Sequence, residues 1–202
     1  MHGTVPDEIS PAPSARAKCR GCGRAVQKGE LRFGEADANP FGEGETFRWF
    51  HLDCAALRRP ERFGPALDAA ADVPDRDALG ALVQSGLDHP RLVRLAGSGR
   101  APSGRAHCRH CREIIEKGAL RVALEFWEEG RFSPGGFLHA ACASGYFETR
   151  EFFERLKKLT PDLSEADAAE WRVEIAKEPP PRKEPPPKDG APPEDGAPPE
   201  DA

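Results

Sequence analysis

The sequence lacks long apolar runs, and this lack excludes several classes of protein. No stretch approaches the ~20 consecutive apolar residues of a membrane-spanning helix. Residues 1–15 contain three prolines and no apolar segment of the kind that a secretory signal requires. We therefore expect an intracellular protein with no membrane contact, in the cytoplasm or nucleoid of a bacterium or in the nucleus of a eukaryote.

The sequence also lacks the common motifs of enzyme active sites. It contains no Ser-His-Asp pattern and no His-x-Glu deaminase pattern. The glycine-containing stretch at residues 97–104 does not have the Gly-x4-Gly-Lys-Ser/Thr spacing of a phosphate loop. We therefore expect that the chain is not an enzyme.

Cysteine and histidine are few, but their spacing is informative. The six cysteines and two of the six histidines form the pattern Cys-x2-Cys-x28-His-x2-Cys and then Cys-x2-Cys-x27-His-x2-Cys. Four such ligands complete a tetrahedral Cys3His zinc shell, because each closely spaced pair is presented by one tight turn. The predicted ligands of two zinc ions per chain are Cys19, Cys22, His51 and Cys54, and then Cys108, Cys111, His139 and Cys142.

The repeat extends beyond these ligands. The first cysteines of the two sets are 89 positions apart and the histidines are 88 apart, so a single deletion aligns the halves. Arg16 then aligns with Arg105, and Arg32 aligns with Arg121. Self-similarity at a fixed offset indicates a duplicated structural unit.

A disulfide framework is the alternative interpretation of six cysteines. Each repeat has three cysteines, so it cannot pair its thiols internally without leaving one over, whereas the histidine completes a zinc site. His107 and His110 flank the second cysteine pair and are further candidate ligands. The first repeat has Lys18 and Gly21 at these positions, so we predict that neither histidine binds the metal.

These features resemble the PARP-type zinc finger, the DNA-break-sensing module of poly(ADP-ribose) polymerases and of some DNA ligases. The resemblance rests on the long gap between ligand pairs, the Gly-Arg-Ala-His-Cys entry at 104–108, the Leu-Arg pairs at 31–32 and 120–121, and the aromatic pair Trp49-Phe50 before His51. LIM-like zinc domains share the ligand pairs but have a much shorter gap.

The resemblance implies a small, zinc-stabilised α+β fold, with two tandem PARP-type fingers that each combine a short antiparallel sheet with helices. We predict a disordered N-terminus at 1–13, finger one at 14–86, a flexible linker at 87–103, finger two at 104–177 and a disordered, proline-rich, acidic C-terminal tail at 178–202. Ser164 followed by Asp167 predicts a capped helix start.

The formal net charge of −5 is distributed unevenly along the chain. Residues 16–60 have a net charge of +3 and residues 104–150 of +1, whereas residues 178–202 have −4. Because counterion release depends on local charge at the binding surface, the acidic total does not exclude DNA binding. The tail is either a solubilising segment or a segment that competes with DNA for basic surface.

The resemblance also implies which residues contact DNA. Arginines at four aligned positions match those that hold phosphate in the family, and a guanidinium can bind phosphate with two hydrogen bonds. Aromatic residues in the loops before the histidines are candidates for stacking on bases exposed at a break. These candidates are Arg16, Arg32 and Phe41 in finger one, and Arg105, Arg121 and Phe132 in finger two. Ordinary surface arginines and core aromatic residues are the alternatives.

We therefore predict a zinc-dependent DNA-binding protein that recognises nicks, gaps or ends by phosphate contacts and base stacking. The alternative is a zinc-scaffolded adaptor that binds proteins and not DNA, with the C-terminal tail as a candidate segment for a protein partner. Basic positions shared by the two repeats favour DNA, and the low net charge of finger two favours the adaptor.

Overall fold

The computed structural model describes residues 5–38 and 45–183, which form two α+β modules. Module one (residues 5–38 and 45–88) has an antiparallel sheet in the order β1-β2-β3 and three helices. Its elements are β1 Glu8–Pro11, β2 Leu31–Ala38, β3 Glu45–His51, α1 Leu52–Arg58, α2 Pro60–Ala69 and α3 Arg76–Asp88. No helix in the described ranges is long and apolar enough to cross a membrane.

Module two (residues 90–183) repeats this arrangement with a sheet in the order β4-β5-β6. It comprises a 3-10 helix Pro90–Arg94, β4 Leu95–Arg100, β5 Leu120–Glu128, β6 Arg131–His139, a 3-10 helix Ala140–Cys142, α4 Ala143–Phe147, α5 Phe153–Leu159 and α6 Glu165–Ala176. The small α+β fold with two zinc-type clusters, which the resemblance implies, is confirmed.

Side chains alternate between the two faces of the β2–β3 hairpin, as the period of a strand requires. Phe33 and Phe50 are register partners and are fully buried, with Phe63 of α2 packed edge-on against Phe33 at 5.3 Å. Arg32 is the register partner of His51, so both lie on the opposite face of the sheet. One hairpin thus builds the core on one side and carries the candidate site on the other.

In module two the hairpin also has one face that builds the core, and α6 covers that core. Val122 and Leu138 are register partners and fully buried, and Trp171 of α6 is buried with them. The predicted start of α6 is confirmed, because the Ser164 hydroxyl accepts a hydrogen bond from the Asp167 backbone N–H at 3.1 Å. This bond satisfies one of the free N–H groups at the helix N-terminus.

The predictions of a disordered N-terminus and a flexible linker are wrong for two short segments. Residues 8–11 form β1, and residues 95–100, within the predicted linker, form β4. Both are edge strands that pair with the next strand of their module, and Ser98 also accepts a hydrogen bond from the indole of Trp171 at 2.6 Å. Neither short segment has the alternating apolar pattern that predicts a strand. Hydrogen bonds to a neighbouring strand hold both segments in place instead.

The two modules pack against each other through the tip of the β5–β6 hairpin, residues 125–132, which we call the docking hairpin. Trp127 packs against Phe50 at 5.8 Å, and Phe132 against Trp127 at 4.7 Å. The guanidinium carbon of Arg58 lies 3.6 Å from the centre of the Phe132 ring, and Arg58 also pairs with Glu125. Apolar contact and a partly buried ion pair therefore join the modules.

A buried arginine adds a second connection. Arg155 of α5 is only 3% exposed, and its guanidinium donates to the backbone carbonyl oxygens of Leu57 and, at 2.9 Å, of Leu82, both in module one. Burial lowers the pKa of Arg155 to about 10. Without Arg155, the backbone carbonyls of Leu57 and Leu82 would lose these hydrogen-bond donors at the contact between the modules.

We expect Arg155→Met to lower the free energy of unfolding by about 2 to 4 kcal/mol, because methionine fills the space but leaves two carbonyls without their donors. Urea denaturation followed by circular dichroism measures the change. Arg150→Met is the matched control: its side chain is 54% exposed and makes only contacts of 3.5 Å, so a change under about 0.5 kcal/mol is expected. Equal effects of the two substitutions would contradict the role assigned to Arg155.

Candidate metal centres and nucleic-acid interface

The first candidate metal centre joins three local structures. The turn at residues 19–22, which we call the first knuckle, supplies Cys19 and Cys22; β3 supplies His51, and α1 supplies Cys54. All four ligand atoms lie within 4.8 Å of one another. His51 Nδ1 is 3.3 Å from the Cys22 sulfur and 3.9 Å from the Cys54 sulfur.

The second candidate centre reproduces this geometry. The second knuckle, residues 108–111, supplies Cys108 and Cys111, and His139 and Cys142 complete the set within the same 4.8 Å. His139 Nδ1 lies 3.4 Å from the Cys111 sulfur and 3.9 Å from that of Cys142. The structure thus brings together each of the two sets of ligands predicted from the sequence.

Both clusters fit zinc. A tetrahedral ion with its usual bond lengths places sulfur and nitrogen about 3.6 Å apart, close to the observed separations. In each centre the other ring nitrogen, Nε2, faces a backbone carbonyl, that of Ala25 at 3.3 Å for His51 and that of Ile114 at 3.0 Å for His139. A hydrogen bond donated to that carbonyl fixes the tautomer that leaves Nδ1 free to bind a metal.

Hydrogen bonds to the sulfurs of Cys19 and Cys108 favour their thiolate forms, and the same contacts raise the pKa of their partners Cys54 and Cys142. The Cys19 sulfur accepts from the backbone N–H groups of Gly21 and His51, each at 3.3 Å. A hydrogen bond from Cys54, together with these backbone donors, lowers the pKa of Cys19 to about 5. In module two, Cys142 and equivalent backbone donors lower the pKa of Cys108 to about 4. Thiolates are the form in which cysteine binds zinc.

His107 and His110 take no part in the metal cluster. His107 Nδ1 lies 3.0 Å from the carbonyl of Arg112, and His110 Nε2 lies 2.8 Å from the carbonyl of Pro180. The cluster in module two consists of the four residues given above. This agrees with the sequence-based assignment of His139 as the ligand.

Two of the candidate arginines lie over aromatic rings beside the metal centres. The guanidinium carbon of Arg32 is 3.3 Å from the ring centre of Trp49, and that of Arg121 is 3.7 Å from the ring centre of Phe137. These pairs occupy equivalent positions in the two modules. Burial lowers the pKa of both arginines, and Arg32 Nε has no hydrogen-bond partner in the described part of the chain.

The two other candidate arginines lie before the knuckles. Arg16 and Arg105 are both exposed, and each precedes the first cysteine of its cluster by three residues. The knuckles are linked to the sheets by equivalent bonds, from Arg20 N to the carbonyl of Trp49 and from Arg109 N to that of Phe137, each 2.8 Å long. A role of these arginines in binding stays a prediction.

The structure tests only one of the two aromatic residues that were predicted to stack on bases. Phe41 lies outside the residues that the structure describes. Phe132 belongs to the docking hairpin, with Arg58 over its ring and Trp127 against its edge, so the prediction that it stacks on a base is wrong. The reason is that the hairpin tip of module two packs on module one, a long-range contact that the sequence of the loop does not encode.

Trp49 and Phe137 were not among the candidate site residues, although they hold the candidate arginines in place. Each lies two positions before the metal-binding histidine, a spacing that places both side chains on the same face of a strand. This alternation, combined with the aligned arginines on the paired strand, was a signal in the sequence that could have identified them.

We expect two zinc ions per chain by inductively coupled plasma mass spectrometry, since each cluster offers a complete four-ligand set. His139→Ala should reduce the content to about one ion after dialysis against a weak chelator, because three ligands hold the second ion poorly. His107→Ala, a change of a neighbouring histidine outside the cluster, should retain two. Two retained ions in His139→Ala would contradict the assignment.

Comparison with known proteins finds similarity that centres on the first module. Residues 10–85 match the family described as the poly(ADP-ribose) polymerase and DNA-ligase Zn-finger region. Over 190 residues the chain is 26% identical to a poly [ADP-ribose] polymerase of Sarcophaga peregrina, an alignment that covers 80% of this chain and 19% of that protein. Over 139 residues it is 25% identical to poly [ADP-ribose] polymerase 1 of Gallus gallus, covering 60% of this chain and 14% of that protein.

The chain therefore spans less than a fifth of the length of these relatives. The family match coincides with the first metal cluster and its sheet, and the second cluster repeats the same ligand types and the same strand order. Residues 10–85 are therefore similar to the PARP-type zinc finger, and module two repeats the ligand types and strand order of that segment.

Proposed function

We propose that this protein binds DNA through its phosphate backbone and prefers nicks, gaps or ends. The observation that carries the proposal is the repeated pair of an arginine on an aromatic ring beside a metal centre, Arg32 on Trp49 and Arg121 on Phe137. No hydrogen bond within the described ranges engages either guanidinium. Two equivalent cations are thus held in place without an internal acceptor.

Phosphate binding by these arginines has a low entropic cost, because stacking on a ring already restricts their side chains. An arginine in solution loses rotational freedom when it binds phosphate, whereas stacking on a ring has already restricted these two. A planar guanidinium also matches two oxygens of a phosphate at once. Arg16 and Arg105, exposed just before the knuckles, add charge near the metal centres. These contacts depend on the sugar-phosphate backbone and carry no base information.

The zinc ions serve this function as structural elements. Four protein ligands fill a tetrahedral shell, so no coordination position is open for water or substrate. Each ion would hold a knuckle against the strand that carries the aromatic ring, because His51 and Trp49, like His139 and Phe137, lie two positions apart on one strand. Binding of DNA, rather than chemistry at the metal, is the function that this arrangement supports.

The preference for interrupted DNA rests on the family and on one residue. A DNA ligase acts at a break, and the matching family is described by ligases together with poly(ADP-ribose) polymerases. Phe41 lies in the predicted loop before His51, where an exposed ring would stack on a base that a break uncovers. Since Phe132 packs inside the protein, this contact is assigned to module one alone.

We expect Arg16→Ala with Arg32→Ala to weaken binding to DNA of every sequence alike and to reduce the salt slope by about 0.9 for each phosphate that the variant no longer neutralises. Fluorescence anisotropy across a series of salt concentrations measures both quantities. Arg62→Ala is the control, because the guanidinium of Arg62 is already paired with Asp7 at 2.5 Å in the same module. An unchanged slope in the double variant would remove these arginines from the interface and favour the adaptor function.

Phe41→Ala separates recognition of breaks from general duplex binding. The binding free energy should weaken by about 1 to 3 kcal/mol on a nicked circle, where a base face is available for stacking, and hardly at all on a closed circle. Competition between the two circles for the same folded, zinc-loaded protein gives the comparison. Phe132→Ala should show no such difference between circles. Equal weakening on both circles for Phe41→Ala would refute stacking at a break while leaving DNA binding intact.

A further inference from the structure

Residues 177–183, which we call the strap, run from the end of α6 across the second knuckle. His110 Nε2 faces the Pro180 carbonyl at 2.8 Å, and the backbone N–H of Lys183 donates to the His110 carbonyl at 2.9 Å. The ammonium of Lys183 pairs with Glu113. Pro180, Pro181 and Lys183 also form one wall of a cleft of about 570 Å³ that reaches the ligands Cys111, His139 and Cys142.

The strap is a feature of module two alone within the described ranges. Module one has Gly21 where module two has His110, and Arg24 where module two has Glu113. His110 is only 4% exposed, since Pro180 on the strap and Gly145 on α4 enclose it. The strap is thus held by side chains specific to the second knuckle.

The strap ends at Lys183, directly before residues 184–202, which we call the tail segment. The tail segment contains six acidic side chains and one lysine. It accounts for the whole formal charge of −5, so the charges of residues 1–183 balance. A concentrated negative charge therefore begins directly beside the second knuckle.

The segment 105–117 of module two, which we call the basic surface, carries four basic residues against Glu113 and Glu116, whereas Glu170 and Glu174 line the cleft beside the strap. Arg105, Arg109 and Lys117 are exposed, and Arg112 donates to the carbonyl of Lys183 at 3.4 Å. Glu113, an acidic group close to the end of the strap, is already neutralised by Lys183. An acidic segment that begins after Lys183 is attracted to these basic groups wherever it comes within a Debye length, about 10 Å at 0.1 M salt.

We propose that the tail segment occupies the basic surface of module two in the absence of DNA and competes with DNA for it. This inference rests on the proposed DNA-binding function. Nineteen residues reach at most about 65 Å when fully extended, so the acidic groups can cover the surface between Arg105 and Arg112. Tethering holds the competitor at a high effective concentration, which makes even a weak contact effective.

The test compares the native chain with a neutralised variant of the same length, in which Glu184, Glu194 and Glu200 become glutamine and Asp189, Asp195 and Asp201 become asparagine. At about 0.05 M salt the neutralised variant should bind a labelled duplex about 3- to 10-fold more tightly. The difference should vanish near 0.3 M salt, where screening weakens the tail contact. Equal affinities at low salt would overturn the proposal.

A second variant separates local competition from a general effect of net charge. Inserting about 40 Gly and Ser residues between Lys183 and Glu184 keeps every charge but lowers the effective concentration of the tail segment. Its affinity for the duplex should move at least halfway towards that of the neutralised variant. An insertion variant that binds as weakly as the native chain would overturn local competition.

A measurement without DNA keeps this inference distinct from the proposed function. In ¹⁵N–¹H NMR spectra, neutralisation should shift amide signals of residues 105–117 and leave those of module one unchanged. If these signals shift but neither protein binds DNA, the proposed function fails while the tail contact stands. If both bind DNA and no signal in 105–117 shifts, the proposed function stands and the tail contact is refuted.

Discussion

Each module depends on the meeting of two ligand pairs that are separated by 28 intervening residues in module one and 27 in module two. The β2–β3 hairpin solves this problem in module one, because its register places His51 opposite Arg32, at the end of the sheet nearest the first knuckle. The same register places Trp49 where the guanidinium of Arg32 stacks on it. The metal centre and the candidate phosphate contact are therefore two results of one strand pairing, and removal of the metal would disturb both.

The duplicated modules have diverged in what they do with equivalent positions. The hairpin tip of module two has become an internal contact, with Trp127 against Phe50 and Phe132 under Arg58. The second knuckle has acquired His110, which the strap covers, where the first has Gly21. The arginine stacked on an aromatic ring is instead retained in both modules. This pattern indicates that the stacked arginine serves a purpose common to both, whereas the hairpin tip was free to change.

Features fixed by local chemistry could be predicted from the sequence, and features fixed by distant contacts could not. The ligand sets follow from spacing alone, and the start of α6 follows from Ser164 and Asp167. The edge strands β1 and β4 were missed, because their order comes from the strands beside them. Arg155 lies in a helix rich in charged residues, a composition that predicts an exposed side chain. Its burial becomes evident only when α5 meets the carbonyls of Leu57 and Leu82.

The packing between modules changes what the two candidate phosphate-binding arginines can achieve. On a flexible linker, each module would bind DNA independently and adapt to any duplex within reach. Arg155 and the docking hairpin instead join the modules, so the spacing between Arg32 and Arg121 is set by the protein. Under the proposed function, both arginines engage one DNA only if its backbone matches that spacing. An intact duplex is stiff, and bending it costs free energy. A nick or gap removes much of that stiffness, so under the proposed function a fixed spacing that departs from that of a straight duplex would favour interrupted DNA even without a stacking aromatic residue.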